Sequence, residues 1–145
     1  MSESQPTVEV LESLNAQDTR ALSRLLAQLS ATATFDEARI RAVVDNEATE
    51  IFVARVAGVI VGMATLVVVP LPSGRRGHVE DVVVDESMRG RGIARNLLET
   101  MTTIASKRGL RTLDLTSRPT RESALRLYES VGFVRRDTAT LRFEP

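Results

Sequence analysis

The chain has no cysteine and no tryptophan, and only one histidine and one tyrosine among its 145 residues. Without cysteine there can be no disulfide, thiolate metal site or cysteine nucleophile. With His78 alone, a His-rich metal site and an HExxH helix are excluded, and no metal is expected. No serine can find a histidine base except His78, and no GxSxG turn is present. Charge of one sign is also lacking. Nineteen Lys and Arg balance nineteen Asp and Glu, so the broad basic footprint of a nucleic-acid binder is missing and no such partner is expected. The most apolar stretch, residues 56–71, is broken by Gly58, Gly62 and Thr65 and is shorter than the roughly 20 residues of a membrane span. The opening "MSESQPTVEV" lacks the basic segment and apolar run of a secretory signal. These absences lead us to expect a soluble cytoplasmic protein with no membrane partner.

What is present suits a single domain over residues 1–145, with 43% apolar and 26% charged residues and a flexible start at residues 1–6. "TVEVLES" alternates weakly, as a first strand does. Leu22, Leu25, Leu26 and Leu29 repeat at i, i+3, i+4, i+7 and predict an amphipathic helix. "TFDE" reads as a capping box from Thr34 to Glu37, opening a short second helix. "EIFVAR" and "VIVGMATLVVV" flank Val56-Ala57-Gly58 as a hairpin, which Pro70, Pro72 and Gly74 end. "HVEDVVVD" is valine-rich enough to be a central strand buried on both faces. A helix with Ile93, Leu97, Leu98, Met101, Ile104 and Ala105 on one stripe follows, closed by Gly109. "RTLDLT" is a further strand. Thr120 can cap a last helix carrying Ala124, Leu127, Tyr128 and Val131, ended by Gly132. "FVRRDTATLRFEP" offers one or two closing strands. Strand–helix–strand crossovers demand some parallel pairing, so the fold class is α/β with a mixed sheet and helices on both faces.

The stretch "RGRGIA", residues 89–94, lies where the valine strand passes into a helix. The first amides of a helix lack partners, and the helix dipole makes that end positive. Gly90 and Gly92 keep side-chain bulk away, and Arg89 and Arg91 add full charges. A phosphate or diphosphate is the natural guest, although a bare GxG can equally be a tight turn with solvated arginines. It is not a GxxxxGK[ST] loop, and Arg95 stands where a GxGxxG fingerprint needs Gly or Ala.

"VVVDESMRGRGIARNLL" resembles motif A of the GNAT-type N-acetyltransferase superfamily, whose [QR]-x-x-G-x-[GA] signature fits Arg89 to Ala94. "SALRLYESVGFVRR" resembles the family's motif B, an A-x-x-[LF]-Y-x-x-x-G-F pattern, at the family's usual separation. The resemblance implies a mixed, mostly antiparallel sheet of about six to seven strands with about four helices on its two faces. It also implies acetyl-CoA as cosubstrate and direct attack by a primary amine in a ternary complex. By the same resemblance, the amides of Arg91, Gly92, Ile93 and Ala94, with Arg89 and Gly90, hold the CoA pyrophosphate. The backbone of Val82, Val83 and Val84 pairs with the pantetheine arm, beside a splay between this strand and "TLDLT". Tyr128 donates a proton to the leaving sulfur, for which an ordinary phenol, protonated at neutral pH, is suited. Its spacing is also that of a core aromatic.

Glu80 and Asp81 begin the valine strand. In a regular strand only one of them faces the cleft, and either could accept the amine proton, directly or through water. Asp114 and His78 are further candidates. Where many relatives have an asparagine early in the last helix, this chain has none, leaving that CoA contact to Thr116, Ser123, Arg121 or water. "GHVEDVVVD" resembles the same segment of glucosamine-6-phosphate N-acetyltransferases, and Arg75 and Arg76 upstream could meet a sugar phosphate. Peptide and other small amines also remain open as acceptors. Two alternatives stand beside the enzyme: a non-catalytic acyl-CoA-binding or sensor domain of the same fold, and an unrelated nucleotide binder, which the glycine spacing disfavours. "TATLRFEP" is a plausible homodimer contact.

Overall fold

A computed structural model describes residues 5–145; the expected flexible start falls in part on residues 1–4, outside that range. The elements run β1 (Thr7–Val10), α1 (Ala16–Leu29), α2 (Glu37–Asp45), β2 (Thr49–Val56), β3 (Val59–Leu71), β4 (Gly74–Val84), a 3-10 turn (Glu86–Met88), α3 (Ile93–Lys107), β5 (Leu113–Asp114) and α4 (Glu122–Val131). The strands form one sheet in the order β1-β2-β3-β4-β5, antiparallel except for the parallel β4–β5 pair. The α/β class with a mixed sheet therefore holds, with five strands among the described residues instead of six to seven.

The sheet separates two cores. On one face Leu22 and Leu25 of α1 pack with Leu11, Ile51, Val53, Ile60, Met63 and Val83, and Ile40, Val43 and Val44 of α2 close over them. On the other, Ile93, Leu97, Leu98 and Met101 of α3 pack with Phe52, Ala54, Leu66, Val79 and Tyr128. The i, i+3, i+4 stripes on α1 and α3 supply these contacts, and strand alternation assigns each residue its face.

A buried ion pair ties three elements together on the first of these faces. Asp18 of α1 is 3% exposed and accepts from both terminal nitrogens of Arg55, at 2.8 and 3.0 Å. Arg55 Nε also donates to Glu9 of β1 at 2.6 Å. The carboxylates, Asp18 foremost, raise the guanidinium pKa further above its already high value.

Several local expectations are corrected. α2 is capped by Asp36, whose carboxylate accepts from the Arg39 amide. Thr34 is not the cap, because an aspartate one residue before the helix is the better placed acceptor. α4 begins after Arg121 with no side-chain cap, so Thr120 does not serve there. Pro70 and Gly74 do not end the strands: β3 runs through Pro70 to Leu71, β4 starts at Gly74, and only Pro72 and Ser73 turn the chain. "FVRRDTATLRFEP" forms no strand. β5 is two residues long, and Val134, Leu141 and Phe143 stay 80%, 92% and 87% exposed, since alternation makes a strand only where a neighbour pairs with it.

Candidate active site

β4 and β5 meet briefly and then part. Their ladder consists of Gly77 with Leu113 and His78 with Asp114. A Cβ on Gly77 would come within 2.9 Å of Leu110 and Leu113 side-chain carbons, so the absent side chain lets the strands approach there. Beyond His78 the β5-facing edge of β4 has no ladder partner among the described residues. On its other edge, β4 is bulged. Met63 pairs with Val83 and Thr65 with Glu80, so Asp81 and Val82 oppose Ala64 alone. Asp81 takes the bulge in the left-handed region at φ 53°, which a short polar side chain tolerates better than a branched one. A bulge bends its strand and re-aims the flanking side chains. The regular alternation assumed for Glu80 and Asp81 therefore does not apply, and both are exposed. Val82 and Val84 pack toward α3, and Val83 toward α1.

At the end of β4 the chain is clamped by α1. Arg24 Nε donates to Asp85 Oδ2 at 3.0 Å, and Gln28 Oε1 accepts from the Glu86 amide at 2.9 Å. Asp85 also accepts from the Ser87 amide and hydroxyl, both at 3.1 Å. The Ser87 amide, with Arg24 adding to it, holds the Asp85 carboxyl below the ordinary carboxylate range. The glycine turn follows. Gly90 and Gly92 have φ of 79° and 78°, and the space beside each is open. α1 and α2 each begin under a side-chain cap, from Asn15 and Asp36, whereas α3 begins at Gly92 with none. The first amides of α3 thus have no side-chain cap. Buried Ile93 fixes the helix start. Arg89 reaches back to the Val84 carbonyl at 3.4 Å, and the exposed Arg91 adds a second cation. Uncapped amides, a helix dipole, two arginines and free volume fit a diphosphate.

α4 is tied to α3 by Arg95, which donates to Ser130 Oγ at 2.7 Å. Tyr128 on α4 is 8% exposed and packs in the α3-side core. Its ring meets Phe133 edge-on, with centroids 6.4 Å apart and planes at 69°. The hydroxyl makes no hydrogen bond to the described residues. The core reading is thus right for the ring and leaves the phenolic proton free. Thr116, just after β5, and Ser123, in the first turn of α4, are both exposed; Ser123 Oγ accepts from Arg126 at 3.4 Å. His78 and Asp114 lie side by side in the β4–β5 ladder.

Arg75 and Arg76 separate. Arg75 turns to the end of α3, donating to the Arg108 carbonyl at 2.7 Å, while Arg76 lies on the opposite face. Arg24 and Gln28 were not legible as site residues. They meet the turn across some sixty positions of sequence, and no local pattern announces such a contact.

The Acetyltransferase (GNAT) family profile matches residues 11–133. A curated glucosamine 6-phosphate N-acetyltransferase from Trypanosoma brucei brucei is 39% identical over 88 residues, which span 59% of this chain and 58% of that enzyme. Among solved structures, a candidate acetyltransferase from Agrobacterium tumefaciens str. C58 superposes with a TM-score of 0.84 at 25% identity, covering 95% of this chain and 99% of its own. An acetyltransferase from Trypanosoma brucei gives 0.78 at 28% identity, over 97% and 100%.

Proposed function

The chain belongs to the GNAT acetyltransferase family, and from that membership we propose that it moves an acetyl group from acetyl-CoA to a primary amine by direct attack at the opening between β4 and β5. The observation that carries this reading is the conjunction, on one strand, of an unpaired edge over residues 79–84 and an uncapped helix start immediately after it. A long phosphorylated thioester needs both: a backbone edge for its amide-bearing arm and an anion site for its diphosphate.

Acetyl-CoA supplies the acyl group as an activated thioester. In this reading the amides from Arg91 to Ala94 bind the diphosphate, with Arg89 and Arg91 adding charge and Gly90 and Gly92 leaving room. The backbone of Val82, Val83 and Val84 hydrogen-bonds the pantetheine arm, as a strand binds its neighbour. Thr116 and Ser123 give hydroxyls to the carrier. Glu80 holds the proton taken from the amine, with the bulged Asp81 beside it as the second carboxylate. As the C–N bond forms and the C–S bond breaks, Tyr128 gives its phenolic proton to the departing sulfur. Holding both reactants in the gap contributes several kcal/mol through alignment alone.

Among acceptors, an amino-sugar phosphate is favoured by the 39% identity to a glucosamine 6-phosphate N-acetyltransferase. The C-terminal segment supports a homodimer, because its exposed Val134, Leu141 and Phe143 suit an edge supplied by a second copy. A cytoplasmic setting, in one domain, suits an enzyme that draws on acetyl-CoA.

The test is amine-dependent release of CoA thiol, with the amide product identified by mass. Release that rises with amine and yields one acetylated product is expected. CoA binding with no turnover across sugar, peptide and aliphatic amines would replace the enzyme by an acyl-CoA-binding domain.

A further inference from the structure

The α1-side face of the sheet is covered unevenly. α1 and α2 close over Ile51, Val53, Met63 and Val83, while Val67, Val69, Arg76 and His78 remain half-buried and Glu80 and Asp114 exposed. All six lie on that face. Gly77 and Val79 point into the α3-side core, so Arg76, His78 and Glu80 point the other way. Val67 and Val69 are the β3 partners of His78 and Arg76, and Asp114 is the β5 partner of His78. The result is an apolar floor of two valines with a carboxylate pole at Glu80 and Asp114 and a cation at Arg76. Arg76 and Glu80 are four strand steps apart, about 13 Å at the backbone, a gap that an arginine side chain shortens.

Arg76 stands apart from the half-buried Arg55, which is engaged with carboxylates, and from the half-buried Arg95, which is engaged with Ser130 and Glu99. The Arg76 side chain makes no hydrogen bond or ion pair with the described residues, and its Nε is shut off from solvent with no acceptor. A desolvated guanidinium N–H without a partner is unfavourable and rare in a folded chain. Arginine also presents a planar fork that matches phosphate and carboxylate.

We infer that the acceptor is an amine bearing a phosphate group, whose carbon skeleton lies on Val67 and Val69, whose phosphate is held by Arg76 and whose amine faces Glu80. This rests on the acetyl-transfer reading and adds to it the residue that selects the acceptor. Arg76 contacts the non-reacting end of the substrate, so it sets KM more than kcat. The reaction is otherwise the one above: the C–N bond forms, the thioester C–S bond breaks, the amine proton passes to Glu80 and the thiolate is protonated.

Matched acceptors test it on the intact chain: D-glucosamine 6-phosphate against D-glucosamine, and 3-aminopropyl phosphate against 3-aminopropanol, with wild type, Arg76→Lys and Arg76→Met. In at least one pair, wild type is expected to favour the phosphorylated member in kcat/KM by about 10- to 100-fold, the range of a charge-assisted hydrogen bond. Arg76→Met should erase that preference through KM, leaving kcat and the unphosphorylated partner nearly unchanged, and Arg76→Lys should keep part of it. Equal use of both members of each pair by wild type overturns the inference and leaves acetyl transfer standing, as does an equal loss on both members in Arg76→Met. Should Arg76→Met not fold, the wild-type preference and its reduction in Arg76→Lys decide. Absence of transfer to any amine, with CoA still bound, overturns the inference together with the enzyme reading.

Discussion

Glu80 of β4 and Tyr128 of α4 stand on opposite faces of the sheet. Val79 packs in the α3-side core with Tyr128, and Glu80, the next residue, points away from it. In the proposed reaction this puts a proton acceptor on one side and a proton donor on the other, since one proton must leave the nucleophile and another must reach the sulfur.

Tyr128→Phe keeps the ring, and with it the edge contact to Phe133, and removes only the unpartnered hydroxyl. We expect kcat to fall by about 10²-fold, the lower range for general-acid catalysis, with acetyl-CoA affinity nearly unchanged. Steady-state kinetics beside a binding titration checks this; unchanged turnover would return Tyr128 to a purely structural role.

Gly92→Glu places a carboxylate at the uncapped start of α3. Acetyl-CoA binding by calorimetry should be lost. Gly92→Ala controls for the positive φ, which alone costs about 1–2 kcal/mol; it should weaken stability yet retain measurable binding.

Asp81 occupies the left-handed bulge. Asp81→Val should therefore destabilise by about 1–3 kcal/mol, while Asp81→Gly should be neutral or stabilising. Urea unfolding of the pair separates the conformational effect from any loss of activity that both share.

Arg55→Leu leaves Asp18 buried and unpaired, and chemical denaturation should show a loss of about 3–5 kcal/mol. The paired change Asp18→Leu with Arg55→Leu should recover part of it.

Asp85 titrates in a known direction. Its folded pKa lies below the ordinary 3.8, so its ionised form stabilises the fold above that value, and the contribution is lost as pH falls through the lowered one. The stability gap between wild type and Asp85→Asn should be constant at neutral pH and close on acidification. Arg24→Met should raise the KM for acetyl-CoA with little change in kcat, because it loosens the turn that presents Gly90 and Gly92.

Much of this was legible in the sequence, and the limits have physical causes. The stripes of Leu22, Leu25 and Leu29 and of Leu97, Leu98 and Met101 declare their helices because burial follows a 3.6-residue period. The glycine turn is legible because a strand, two glycines and a helix are contiguous. Which residue of the valine strand bulges was not, since a strand with one extra residue reads like any other until its partner is known. The closing strands were overestimated because "TATLRFEP" alternates well but pairs with no strand of the sheet. Thr34 was read as the cap where Asp36, two residues on, serves, a choice that periodicity does not make. Arg75 and Arg76 looked equivalent, and only the strand that includes them sends one to α3 and the other to the opposite face.

The most direct test of the central claim is thermal unfolding with acetyl-CoA, CoA, ATP and NAD in parallel. A ligand at 100 times its Kd adds about 2.7 kcal/mol, enough to raise the midpoint by several degrees. A shift with acetyl-CoA and CoA alone is the expected result. No shift with either, or a larger one with ATP or NAD, would contradict the assignment of the glycine turn and the open β4 edge to acetyl-CoA.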